Sequence, residues 1–514
     1  MKDHPDWLQR KITGEPAVFT AGAAFWIAPG DEDVWISPYA KPWRKIYMER
    51  VRQIARTGID GIYVDIPYWM THFDGWEDSW ASFDDYTLAA FQQQYGLDAR
   101  RDVKLGDFSD PGFRKWVRFR IDTLTDFVRE IRESARGVNP AIMVIPEIYP
   151  GIEQEAVRVG SDVYEMYPVV DAIAHEYEFG EGDHLASSRS QLDWFLYQAG
   201  MLTFRAFAEG KATWILNYSW DGDKGVDARE AMKTLAASQI VAGANFWDAP
   251  GHSMAGSNDP ATRAEIFAWI ARHEATFYLP RSPVHPTGVY FSPASRNFDS
   301  RRFLPSYRGT LLLLLQNHRE LQVVTPRTLP AFRGNTLVFP DVSEFTRTER
   351  DQLKAFLGRG GRLVITGADA TGLQPSPNIV HFAASPGSAY LSALESDFAA
   401  ASRSMPKEFL AALAPSQELV VSASPFVASN TAFVNGQLHV FLANFAGLVP
   451  HRNLKPSREG SARITVRAPR KAVLHFLPFL GEEQVVTATR AGEAQIFPLP
   501  GFDRAAVAWL DYSH

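Results

Sequence analysis

The 514-residue chain has no cysteine. That absence removes disulfides, thiolate catalysis, iron–sulfur clusters and cysteine-ligated zinc. It leaves the redox compartment open, because a cysteine-free protein tolerates either environment. Long apolar runs are missing too: the longest aliphatic stretch, Leu311 to Leu315, is far short of the roughly 20 residues that span a bilayer. Met1 to Asp6 has no apolar segment of the secretory kind, so the chain is expected to be cytoplasmic, or exported with its leader removed. Nor is there a basic field. A net charge of −7 argues against nucleic acid or an acidic membrane surface as partner. Internal repeats and low-complexity tracts are also lacking.

What remains is the composition of a globular protein, 46% hydrophobic and 22% charged. Its length exceeds what one hydrophobic core supports, so two to four domains are expected. Fourteen Trp and 17 Tyr are many, and several sit beside Gly, Asp and Pro in expected loops. An exposed indole face stacks on a sugar ring, but a large core also uses aromatics, and the counts leave both open.

Residues 1 to about 280 alternate β-rich runs with amphipathic stretches, the pattern of βα units and a parallel sheet. Strands are expected over Ala17–Trp26, Gly61–Ile66, Ala141–Glu147, Asp162–Tyr167, Asp171–Tyr177, Thr213–Tyr218 and Ala244–Asp248. Helices are expected over Trp43–Thr57, Phe113–Ala135, Ser188–Ala208 and Arg229–Val241. Seven or eight such units predict an α/β fold, a TIM-type (β/α)8 barrel over residues 1–282. A smaller flavodoxin-like α/β domain follows at 283–414. Short alternating strands over 415–514 predict a small C-terminal β-sandwich.

Polar or acidic residues repeatedly close the barrel strands: Asp65, Glu147, Glu165, Glu176, Asn217 and Asp248. A buried parallel strand should be apolar throughout, and barrel enzymes keep their chemistry at the C-terminal strand ends. Any one of these residues could be a helix cap or half of an ion pair. Several at corresponding ends point to one shared crevice.

The stretch Thr57-Gly-Ile-Asp-Gly-Ile-Tyr-Val-Asp resembles the GxDGxxxD strand of many barrel glycosidases. Leu337-Val-Phe-Pro-Asp and Phe356-Leu-Gly-Arg-Gly-Gly-Arg-Leu-Val-Ile-Thr-Gly are similar to the glutamine-amidotransferase-like trimerisation domain of family 42 β-galactosidases. Phe441-Leu-Ala-Asn-Phe is similar to their C-terminal β-domain. The resemblance implies a glycoside hydrolase, a carbohydrate substrate and a homo-oligomer, dimer or trimer. Two departures stand out. The Asn-Glu pair of the family 42 acid strand is missing, and only about 60 residues precede the Asp65 strand, which is closer to those of α-L-fucosidase-like families. Amidotransferase chemistry is excluded, since the middle domain has no cysteine.

Glycoside hydrolysis takes one carboxyl as acid and another as nucleophile or water-activating base. Asp65 is the candidate nucleophile or base, followed by Tyr68 and Trp69 as a possible sugar-facing wall; as a structural residue it would bond a neighbouring loop. Glu147, among Pro146 and Tyr149, is the candidate acid, because apolar surroundings favour the neutral carboxyl; it could equally cap the next helix. Glu165 and Glu176 compete for that role. Trp26, Tyr167, His175, Asn217, Trp220, Trp247 and Asp248 are candidate donors or stacking faces, His175 more simply a structural residue. No cofactor and no metal are expected. Asp221, Asp223 and Asp227 lack the Glu at the twelfth position of a calcium loop and read as a solvated turn, and Gly360–Gly361 precedes a strand, unlike a phosphate loop.

Overall fold

The computed structural model describes residues 3–24, 26–71, 73–149, 151–153, 155–177, 189–217, 227–248, 259–413, 419–467 and 471–512. The chain forms two compact units. One is Met1–Tyr177 with Lys211–Thr213 and Arg296–Phe298; the other is Glu178–Gly210, Trp214–Ser295 and Asp299–His514.

The first unit opens with an antiparallel pair, β1 (Val18–Thr20) and β2 (Glu32–Val34). The long strand expected over Ala17–Trp26 shrinks to β1, because Gly22 takes a left-handed φ of +97° and turns the chain. Parallel strands follow: β3 (Gly61–Val64), β4 (Met143–Ile148) and β5 (Ala172–His175), paired in that order. Their helices are α1 (Lys41–Ala55), α2 (Asp85–Tyr95) and α3 (Pro111–Arg136). The start of α3 is encoded locally. Asp110 accepts from the Phe113 N–H at 2.8 Å, and Pro111 takes a first-turn position where no N–H is needed. Its apolar face buries Phe127, Ile131 and Ala135 against Val64 and Val144 of the sheet and Met48 and Val51 of α1.

Two short helices come next, α4 (Glu155–Val159) and α5 (Val163–Met166). The latter replaces the strand expected over Asp162–Tyr167. Asp162 caps it, accepting from the Tyr164 N–H at 3.0 Å, and the same carboxylate meets the fully buried Arg296 at 2.7 Å. A short apolar run with an Asp in front fits either period, and here the cap decides it.

The second unit holds α6 (Gln191–Ala208), β6 (Ala212–Asn217), α7 (Ala228–Ala242) and β7 (Asn245–Asp248). Strands β6 and β7 are parallel, Trp214 opposite Asn245 through Asn217 opposite Asp248. The opening residues of β6 belong to the first unit and the rest to the second. Then β8 (Arg281–Ser282) leads to five parallel strands: β9 (Thr287–Tyr290), β10 (Leu321–Val324), β11 (Thr336–Pro340), β12 (Arg362–Thr366) and β13 (Ile379–Phe382). Their order, β10-β9-β11-β12-β13, is the flavodoxin-like one. The Leu311–Leu315 run lies in the helix Ser300–Gln316, buried on every side. The C-terminal part forms two antiparallel sheets around Leu442, Ile464, Leu474, Phe476 and Phe497, a β-sandwich. Among the described residues no helix is long and apolar enough to cross a membrane.

Candidate active site

The register of the first unit brings three carboxylates to neighbouring strand ends. Val64 lies opposite Pro146 and Glu147 opposite Ala174, so the chain emerges from β3, β4 and β5 at Asp65, Glu147 and Glu176. The Glu176 N–H donates to the Ile148 carbonyl at 3.1 Å, which carries the β4–β5 ladder to the rim. Alternation along β3 puts Tyr63 on the same face as Asp65.

These groups interact. The Tyr63 hydroxyl and the Asp65 carboxyl both lie close enough to Glu147 to act on its proton. It is only 8% exposed, whereas Asp65 and Tyr63 are exposed. Burial is the main reason its carboxyl is pushed up to about 8, and the neighbouring Asp65 and Glu176 act the same way. The Tyr63 hydroxyl opposes them by donating to the charged form. Of the rim carboxyls, Glu147 is thus the one whose surroundings favour the protonated form. Burial and the nearby carboxylates also hold the phenols of Tyr63 and Tyr68 well above their ordinary range, so both stay neutral donors. Tyr68 is buried, and its hydroxyl oxygen accepts from the Tyr149 N–H.

Other expected site residues lie elsewhere. Trp69 is fully buried and its indole N–H donates to the Arg120 carbonyl at 2.9 Å, so it packs the interior and offers no face to a sugar. Glu165 does not end a strand; it sits in α5 and pairs with Arg118 at 2.8 Å, which also pairs with Asp122 at 2.6 Å. Tyr167 and His175 are buried together, His175 Nε2 2.7 Å from the tyrosine oxygen, which in turn donates to Thr213 at 3.1 Å. Burial drives His175 down to about 3, so it is a neutral structural partner at ordinary pH. Trp26 is 51% exposed, its indole N–H 3.4 Å from Asp33. In the second unit Trp247 is half-buried in β7, Asn217 closes β6 and Asp248 closes β7. The side chains of Asn217 and Asp248, and the whole of Trp220, Asp221 and Asp223, lie outside the described residues. Among the described residues no group of three or more His, Asp or Glu is arranged to hold a metal. Tyr63 is the site residue that the sequence reading does not single out. Tyr63 was findable, standing two residues before Asp65 on the same strand face.

No family profile matches this sequence, and no curated protein matches it. Solved structures do. The chain is similar over 100% of its length to 86% of α-L-fucosidase isoenzyme 2 from Paenibacillus thiaminolyticus, with 12% identity and a TM-score of 0.66. It is similar over 98% to 86% of a β-galactosidase from Bacillus circulans sp. alkalophilus, with 11% identity and a TM-score of 0.61. Against the β-galactosidase of the psychrophilic Marinomonas ef1 the values are 97%, 87%, 12% and 0.57. At such identities the likeness is one of fold. The chain is a TIM-barrel α/β protein with further α/β and β domains. Its fold is glycosidase-like and resembles that of family 42 β-galactosidases.

Proposed function

We propose that this protein is a glycoside hydrolase that cleaves a glycosidic bond in an oligo- or polysaccharide, with Glu147 as acid and Asp65 as nucleophile or base. One arrangement carries the reading: a buried carboxyl, Glu147, whose proton affinity is raised chiefly by burial, stands beside an exposed carboxyl, Asp65, on the next strand end. Glycoside hydrolysis needs that division of labour. Glu147 gives its proton to the departing oxygen, while Asp65 attacks the anomeric carbon or takes a proton from water. The Tyr63 donor then stabilises the Glu147 anion, and Glu176 raises the proton affinity of Glu147 beforehand. Glu165, held by Arg118, is assigned to structure.

The solved neighbours, a fucosidase and galactosidases by title, support a carbohydrate substrate. The sequence pattern suggests domains at 1–282, 283–414 and 415–514, and the resemblance of the middle segment to a trimerisation domain suggests a dimer or trimer.

The test is a panel of aryl glycosides with graded leaving groups. A dinitrophenolate needs no proton to depart, so Glu147→Gln should keep most of its turnover there and lose about 10²–10⁴-fold on phenyl glycosides and natural oligosaccharides. Asp65→Asn should lose turnover on every substrate. Wild-type protein that binds oligosaccharides and turns over none would make it a carbohydrate-binding protein instead, and transfer products in place of free sugar would make it a transglycosylase.

A further inference from the structure

Arg120 lies in the middle of α3 and is fully buried. A cation out of water and without a counter-charge costs several kcal/mol on the order of magnitude, and among the described residues no carboxylate meets this one. Its donors go to three backbone carbonyls: Nε to Ala81 at 2.7 Å, Nη1 to Val157 at 3.2 Å and Nη2 to Arg158. Ala81 belongs to the segment that leaves Asp65. Val157 and Arg158 belong to α4, in the segment that leaves Glu147.

Those two segments are joined again nearer the carboxylates. The Trp69 N–H donates to the Val159 carbonyl at 2.9 Å, and the Ser161 hydroxyl donates to the Pro67 carbonyl. The Trp69 indole packs over Gly160, whose φ is +78° and where a Cβ would stand 2.5 Å from the Trp69 ring. Directly after Asp65, Ile66 has a φ of +39°. A β-branched residue rarely takes that conformation and keeps it only where the surroundings over-determine it.

We propose that Arg120, with Trp69, Gly160 and Ser161, is a positioning clamp that fixes the Asp65 segment against the Glu147 segment and so sets the placement of the two carboxyls relative to each other. Arg120 touches neither carboxyl and acts through the two backbones. Its catalytic meaning rests on the glycosidase reading above, but the placement it sets can be followed without turnover through the titration of Glu147.

The test uses Arg120→Lys, which keeps the charge but cannot fork onto three carbonyls, beside Gly160→Ala and Ser161→Ala, which leave Arg120 in place. The two latter variants decide the matter should the first fail to fold. Carbon-13-edited infrared titration, with Glu147→Gln to assign the band, reads the Glu147 carboxyl directly. The clamp predicts that this titration moves down by at least one pH unit in Arg120→Lys and Gly160→Ala. It also predicts a kcat 10- to 100-fold lower with KM within threefold, and a smaller change of the same kind in Ser161→Ala. Folded variants with the wild-type Glu147 titration overturn the clamp. A shifted titration in a protein that turns over no glycoside keeps the clamp and sinks the glycosidase reading.

Discussion

Two parallel sheets in this chain bury most of their strand residues and differ at their C-terminal rims. In the β9–β13 sheet the acidic groups are tied into structure. Asp341, just after β11, faces Arg302 at 3.7 Å, and Glu349 accepts from the Tyr290 hydroxyl and closes a capping box with Thr346. At the β3–β5 rim, Glu147 has no cation partner among the described residues, and Asp65 is exposed beside it. Both rims have the same kind of backbone. What separates a supporting sheet from a candidate active site is whether its carboxylates are neutralised by neighbours or left to hold and release a proton.

The largest effect should come from removing one carboxylate at each rim. Asp65→Asn is expected to lower turnover on the order of 10⁴-fold, whereas Asp341→Asn stays within about twofold, since it loses only one partner of a structural pair. Equal losses in both variants, measured per folded molecule, would erase the contrast. The next effect is on stability and falls on the other sheet. Leu313→Ala, in the buried helix Ser300–Gln316, should cost about 2–5 kcal/mol in a denaturant titration and leave turnover per folded molecule unchanged.

The smallest effect is a pH dependence. Glu147 is raised from 4.5 to about 8, so between those values the native state holds a proton that the unfolded chain has released. Stability falls across that window as pH rises, and the loss is complete above about pH 8. Glu147→Gln should therefore gain a few degrees in melting temperature over wild type at pH 9 and almost none at pH 4. Wild-type kcat/KM should decline as pH rises through about 8, and an alkaline limb that persists in Glu147→Gln would assign it to another group.

Much of this was legible in the sequence, and unevenly so. The order of βα units, the flavodoxin-like sheet and the C-terminal strands follow from periodicity, because each strand or helix writes its own apolar pattern. Asp65, Glu147 and Glu176 were visible as polar residues interrupting strands that should be apolar. Trp69 was misread because what buries it, Arg120 and Gly160, lies 51 and 91 residues further along. No local pattern reports such a contact. The Asp162–Glu165 stretch was misread for the opposite reason. Its Asp-x-x-Glu spacing is a helix-start signal, overlooked because Val163 and Tyr164 also suit a strand. Tyr63 was missed although its phase relative to Asp65 was plain.

The buried pair of Asp162 and Arg296 bears on how the protein is made. Asp162 is 1% exposed, and its cation arrives 134 residues later in the chain. At about 5–20 residues per second, a ribosome takes roughly 7–27 s to bridge that distance. Until then the buried Asp162 carboxylate has its Tyr164 N–H but not its Arg296 partner, so the packing of the first unit is incomplete there. The first unit is thus the earliest to be synthesised and yet includes a segment, Arg296–Phe298, from just past the middle of the chain. A chain released before residue 296 should be a client for chaperones, however complete its strands appear.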